Sequence, residues 1–105
     1  MGVSQPVPAK VRSFLSECAS RYPAIERMLV FGSRARGDAR ERSDFDLAVE
    51  APAMDRSDWS RFALDVEEDI PTLCGVDLLL LNDTLAAPLR TRIKEEGIVI
   101  YERAA

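Results

Sequence analysis

Residues 31–50 read FGSRARGDARERSDFDLAVE. The stretch begins where the apolar run Met28-Leu29-Val30-Phe31 ends, and it closes on the apolar Leu47-Ala48-Val49. Short apolar runs of this kind, stopped by glycine or proline, predict buried strands. Here they fall at 25–31, stopped by Gly32, and at 45–49, followed by Pro52. The polar segment between them therefore links two strands, and Asp44 and Asp46 stand at the mouth of the second. In an extended chain, residues i and i+2 project to the same side. Two carboxylates on one side repel and raise one another's pKa, so folding gains nothing from the pair. A divalent cation between them removes the repulsion and uses both as oxygen ligands. The plainer reading is a solvated loop with Ser43-Asp44 as a turn or cap. It suits Asp44 better than Asp46, which runs directly into apolar residues.

Outward from this stretch the periodicity changes. From Pro8 the apolar residues Val11, Phe14, Leu15, Cys18 and Tyr22 share one helical face, and Pro23 ends it. Residues 1–6 read as a frayed end. Asp55 or Ser57 can cap a helix with Trp59, Phe62, Ala63, Val66 and Ile70 on one face, broken by Pro71 and Gly75. Val76–Leu81, VDLLLL, has the nearly continuous apolar character of a strand buried on both faces. Asn82 or Asp83 can cap a helix with Leu85, Leu89 and Ile93 inward, closed by Gly97. IVIY at 98–101 is a last strand. Strands and helices in this order predict an α/β (α+β) domain, with helices packed on a central sheet.

The chain has 105 residues, a length that fits one domain. Its net charge of −4 gives no bulk attraction to nucleic acid or to an anionic membrane, so an anion site must be made locally. It contains no histidine, which removes histidine bases, histidine-containing triads and histidine-ligated zinc. Any metal would be hard and held by carboxylates. Cys18 and Cys74 form no CxxC pair and read as core thiols in a reducing compartment. No segment is long and apolar enough to span a membrane and no signal peptide is visible, so a cytoplasmic protein is expected.

Three further features bear on chemistry. Gly32-Ser33 follows a strand, where glycine lets backbone approach a phosphate and serine adds a hydroxyl; taken alone, the pair is a common strand-ending turn. Asp77 interrupts the apolar run 76–81, and a lone buried carboxylate is costly unless paired or bound to metal. An arginine of the 34–42 run is one possible partner. A three-carboxylate Mg²⁺ cluster with Asp44 and Asp46 is the other, and it suits phosphoryl or nucleotidyl transfer. Arg40 and Arg42 read as solvated charges beside Asp38 and Glu41. Arg34 and Arg36 stand between that reading and neutralisation of triphosphate oxygens.

Together, Gly32-Ser33, ten intervening residues, Asp44-x-Asp46 and a later strand carrying Asp77 resemble the signature of the DNA polymerase β-like nucleotidyltransferase superfamily. The run GSRARGDARERSDFDLAV is similar to the minimal nucleotidyltransferases, the MNT or MntA-like proteins. The similarity spans about Ile25 to Tyr101, with residues 1–105 as a single minimal domain. The resemblance implies a mixed sheet flanked by helices and transfer of a nucleoside monophosphate from a triphosphate, ATP, to a hydroxyl with two Mg²⁺ ions. It implies that Gly32 and Ser33 hold the β- and γ-phosphates, with Arg34, Arg36 and Ser43 as further nucleotide-binding candidates. Asp44, Asp46 and Asp77 would ligate metal, and Asp77 would also serve as base. The second domain by which larger relatives select an acceptor is missing. Minimal members resemble the antitoxin half of a toxin–antitoxin pair, whose HEPN-type ribonuclease partner is silenced by AMP transfer to a tyrosine. Two alternatives are an antitoxin that neutralises by masking its partner and a transferase of the antibiotic-modifying kind.

Overall fold

The computed structural model describes residues 7–37, 40, 43–81 and 86–103. Its elements run α1 (Ala9–Ser20), β1 (Arg27–Phe31), α2 (Ser33–Arg36), β2 (Phe45–Glu50), α3 (Arg56–Asp69), β3 (Val76–Leu80), α4 (Ala87–Glu96) and β4 (Ile98–Glu102). The expected strands and long helices are all present. The one addition is α2, a single turn that four residues are too few to announce by periodicity.

The four strands form one sheet in the order β3-β2-β1-β4. β1 pairs antiparallel with β2 and β4, while β2 pairs parallel with β3. The sheet is therefore mixed, as expected. Strand alternation sends Met28, Val30, Phe45, Leu47, Val49 and Ile100 to one face, where Val11 and Leu15 of α1 and Phe62 and Val66 of α3 complete the main core. α3 is capped as its sequence suggests: the Asp55 carboxylate accepts the Asp58 N–H at 2.7 Å. On the opposite face, Ala48 and Leu81 meet Ile93 of α4, with Phe31, Leu79 and Leu89 around them.

Two expectations change. The run 76–81 is not buried on both faces. β3 is an edge strand, and its residues are half-buried apart from the exposed Asp77 and the buried Leu81 that follows it. Its apolar sequence reflects two thin layers of cover, α3 on one side and α4 on the other, rather than flanking strands. The fourth helix begins at Ala87 with Pro88 in its first turn. The caps expected at Asn82 or Asp83, and the inward Leu85, lie outside the described residues.

Candidate active site

Each element in this region ends where its residues require. β1 stops at Gly32, whose backbone takes φ +73°, a conformation L side chains rarely adopt. The chain then makes the single turn of α2, with the Arg36 N–H on the Gly32 carbonyl at 3.0 Å and the Gly37 N–H on that of Ser33 at 3.0 Å. Gly37, at φ +84°, closes it. Ser33 is thus delivered directly off the end of a central strand.

Gly32 is demanded a second time from across the sheet. Phe31 is paired with Asp46, and the Asp46 carboxylate leans against the glycine, where a Cβ would collide with its Oδ2. Asp46 is in turn the register partner of Asp77 on β3. Residues directly opposite in a sheet share a face, so Phe31, Asp46 and Asp77 form one row. Asp44, two residues before Asp46, belongs to the same side. All three acidic candidates therefore gather at one end of the sheet, on the face opposite the main core. Asp44 and Asp77 are exposed and Asp46 is half-buried.

This crowding has an electrostatic cost. The Asp46 carboxyl is pushed above its ordinary value, first by burial and then by the charges of Asp77 and Asp44. A hydrogen bond with Asp77 acts in the same direction, and Arg36 opposes it. These are the conditions a bound divalent cation relieves. The donor chemistry also fits such an ion, being three carboxylates without nitrogen or sulfur. The carboxylates do not, however, close around a common centre. Among the described residues, no three His, Cys, Asp or Glu side chains are arranged to hold a metal ion. Asp46 leans toward Gly32 on the β1 side, while Asp44 leans toward Gly75 on the β3 side.

Gly75, which reads in the sequence only as a chain breaker, lies against the candidate site. Its carbonyl accepts the Phe45 N–H at 2.9 Å and opens the parallel ladder. A Cβ there would stand 2.6 Å from Asp44 Oδ1. Only the pairing of β2 with β3, which local sequence does not announce, makes its position informative.

The basic and hydroxyl candidates divide. Arg36 forms an ion pair with Glu96 at 3.5 Å, at the end of α4, and its field reaches Asp46. Arg34 instead turns inward: its guanidinium stacks 3.8 Å from the Phe45 ring centroid and donates to the Ser43 carbonyl. The Ser43 hydroxyl accepts the Arg40 N–H at 2.7 Å, tying the loop to itself. Asp77 is exposed on β3 beside Asp46, so the burial cost considered from sequence does not arise.

The profile of the Polymerase beta nucleotidyltransferase family matches residues 14–105. The chain belongs to this family. Its fold is shared with the crystal structure of a toxin–antitoxin with AMP-PNP (TM-score 0.68, 20% identity), covering 88% of this chain and 73% of that one. The toxin–antitoxin MntA-HepT matches with a TM-score of 0.57 and 18% identity over 89% of this chain and 71% of its own. A nucleotidyltransferase structure from Sulfolobus solfataricus matches with a TM-score of 0.57 and 22% identity, covering 98% of this chain and 93% of that one. No curated protein matches the chain. In this nucleotidyltransferase the acidic row lies at one end of a mixed four-stranded sheet, on the face that α4 partly covers.

Proposed function

We propose that this nucleotidyltransferase domain moves AMP from ATP to a hydroxyl, and that the acceptor is a tyrosine of a HEPN-type toxin for which the chain is the antitoxin. One observation carries the reading: half-buried Asp46 sits against the glycine of Gly32-Ser33, in register with Asp77 and two residues from Asp44. Family membership supports nucleotidyl transfer. The toxin–antitoxin structures that share the fold support the biological setting. Cys18 and Cys74, neither of them in a disulfide, suit a cytoplasmic protein.

In this mechanism Gly32 and Ser33 hold the β- and γ-phosphates, close to backbone that bears no Cβ. Arg36, exposed beside Asp46, offsets phosphate charge. Asp44, Asp46 and Asp77 hold Mg²⁺, which neutralises phosphate charge and makes the hydroxyl more acidic. Asp77 accepts the hydroxyl proton as the oxygen bonds to the α-phosphorus. The bond from that phosphorus to the bridging oxygen breaks, and diphosphate leaves with its electrons.

The test is label transfer. The protein is incubated with Mg²⁺ and ATP labelled at the α-phosphate, with a HEPN-type toxin of the same genome, and resolved on a denaturing gel. Label on the toxin, lost in Asp44→Asn and Asp46→Asn, is the expected result. Transfer that survives both substitutions refutes the assignment of the pair. A stable complex without label refutes the acceptor and favours masking.

A further inference from the structure

Arg34 is the second residue of α2, one past Ser33. The side chain of an arginine in a phosphate-binding turn would be expected to face the ligand. This one crosses to two other segments. Its guanidinium lies 3.8 Å from the centroid of the buried Phe45 ring. Nε and Nη2 both donate to the Ser43 carbonyl oxygen, at 3.2 and 2.7 Å, and Nη2 lies 3.7 Å from Cys74 Sγ.

Each of the three partners adjoins a residue of the acidic row or its support. Ser43 immediately precedes Asp44, and Phe45 separates Asp44 from Asp46. Cys74 precedes Gly75, the glycine against which the Asp44 carboxylate rests. One side chain therefore ties the turn that carries Gly32-Ser33 to both sides of Asp44. Stacking through one face while donating from two nitrogens is a geometry of the planar guanidinium, and a lysine ammonium does not reproduce it.

We propose that Arg34 is a positioning residue rather than a nucleotide ligand: it clamps α2, Ser43 and Cys74 together, and so fixes the backbone on either side of Asp44 from which its carboxylate would join Asp46 at a divalent cation. This rests on the reading of Asp44 and Asp46 as metal ligands. It removes Arg34 from the nucleotide-binding candidates and leaves that place to Arg36.

The experiment is titration of the full chain with Mn²⁺ alone, with free Mn²⁺ read by electron paramagnetic resonance. Arg34→Lys keeps the charge but loses the stack and the paired donors. It is expected to weaken Mn²⁺ binding about tenfold, the scale of one charge-assisted hydrogen bond. Phe45→Leu, which leaves Arg34 in place, weakens binding in the same direction. The double variant is no worse than Arg34→Lys, because both changes disable one clamp. At saturating Mg²⁺ the KM for ATP of Arg34→Lys stays within about twofold of wild type, since no nucleotide contact is lost. Wild-type Mn²⁺ affinity in Arg34→Lys, with a raised KM for ATP, overturns the proposal and restores Arg34 as a phosphate ligand. If Phe45→Leu fails to fold by circular dichroism, Arg34→Ala titrated with methylguanidinium takes its place. Recovery of Mn²⁺ binding supports the clamp, and none in a folded variant overturns it. Asp44→Asn is the control: unchanged Mn²⁺ binding there refutes the underlying reading of the pair, separately from the clamp.

Discussion

Replacing Gly75 by alanine separates what the site needs from what the fold needs. The added Cβ would lie 2.6 Å from Asp44 Oδ1, closer than a real methyl group allows, and 3.0 Å from its Cγ, a tight contact. Both atoms are at the far end of an exposed side chain, so the carboxylate yields and the backbone does not. Turning Asp44 off its rotamer costs about 0.5–1.5 kcal/mol. Gly75 lies outside the left-handed region, so alanine also removes unfolded-state freedom, a gain of about 0.4–1 kcal/mol. The two terms nearly cancel, and the Tm is expected to move by no more than about 8 °C, the shift for 1 kcal/mol in a domain of this size. Activity does not cancel: a catalytic group misplaced by about 1 Å costs about 10²-fold in rate. Gly37→Ala is the converse control. No atom lies within 4 Å of a Cβ there, but φ is +84°. The backbone penalty of about 1–2 kcal/mol lowers the Tm while leaving the rate per folded molecule unchanged. The assay is initial-rate label transfer paired with thermal unfolding for both variants. Wild-type transfer by Gly75→Ala would show that the resting place of Asp44 is irrelevant to the chemistry, and the argument from Gly75 would fail.

Gly32→Ala meets both penalties at once, a left-handed backbone and the Asp46 carboxylate; it is expected to lose transfer and at least about 1–2 kcal/mol of stability by urea denaturation. Asp46→Asn, measured without divalent cations, is expected to raise the neutral-pH Tm by about 4–8 °C, taking about 1 kcal/mol for one relieved like-charge contact near water. The sign follows from Asp46 holding its proton more tightly when folded than at the ordinary value of 3.8. The folded protein binds the extra proton, so wild-type stability falls as pH rises through the interval from 3.8 to the raised value. The advantage of Asp46→Asn over wild type should therefore shrink as pH drops below that interval, and an advantage that grows on acidification would refute the linkage. Phe62→Ala empties a fully buried position packed edge-on to Tyr22 at 5.5 Å, and its cost of about 3–5 kcal/mol should appear as a lower urea midpoint.

How far the sequence could be read depended on how local each signal was. Strands β1, β2 and β4 and helices α1 and α3 announce themselves through runs, periods and the Asp55 cap, all contained within about fifteen residues. The Asp44-x-Asp46 spacing carries its meaning locally too, because i and i+2 share a side in any strand. What failed were inferences about neighbours. VDLLLL looks like a strand buried on both faces, yet it is a half-buried edge strand, so Asp77 reaches solvent instead of needing a buried partner. Arg34 and Arg36 are indistinguishable as letters, two residues apart in one basic run. One turns inward onto Phe45 and the other outward to Glu96, a difference set by the single turn of α2. Gly75 was invisible because its role depends on parallel pairing with a strand about thirty residues earlier.

The same sheet supplies its own internal comparison. On the face opposite the main core, the sheet carries two charged rows, one at each end. At one end Arg27 is the register partner of Glu50, and the pair meets at 3.0 Å with opposite charges. At the other end Asp46 faces Asp77 with like charges, and Asp44 stands beside them. Between the two, Ala48 lies under Ile93 of α4. Folding alone would favour the first arrangement at both ends, since cross-strand pairs of opposite charge stabilise a sheet and like charges destabilise it. Surrounding rules are obeyed where β1 meets β2, a few residues away: register is matched, the apolar residues of β2 are buried, and the strand-ending glycine takes a backbone shape that L side chains rarely adopt. Like charges gathered at one end of one face, beside a matched pair of opposite charges at the other, are what a site where function rather than stability determines the residues would show. The conflict also has a definite sign. An excess of negative charge calls for a cation, and the phosphate-friendly turn at Gly32-Ser33 lies directly beside it. In the proposed function the acidic row and the glycine turn are two halves of one requirement, a cation held between carboxylates and phosphates, which neither half would satisfy alone.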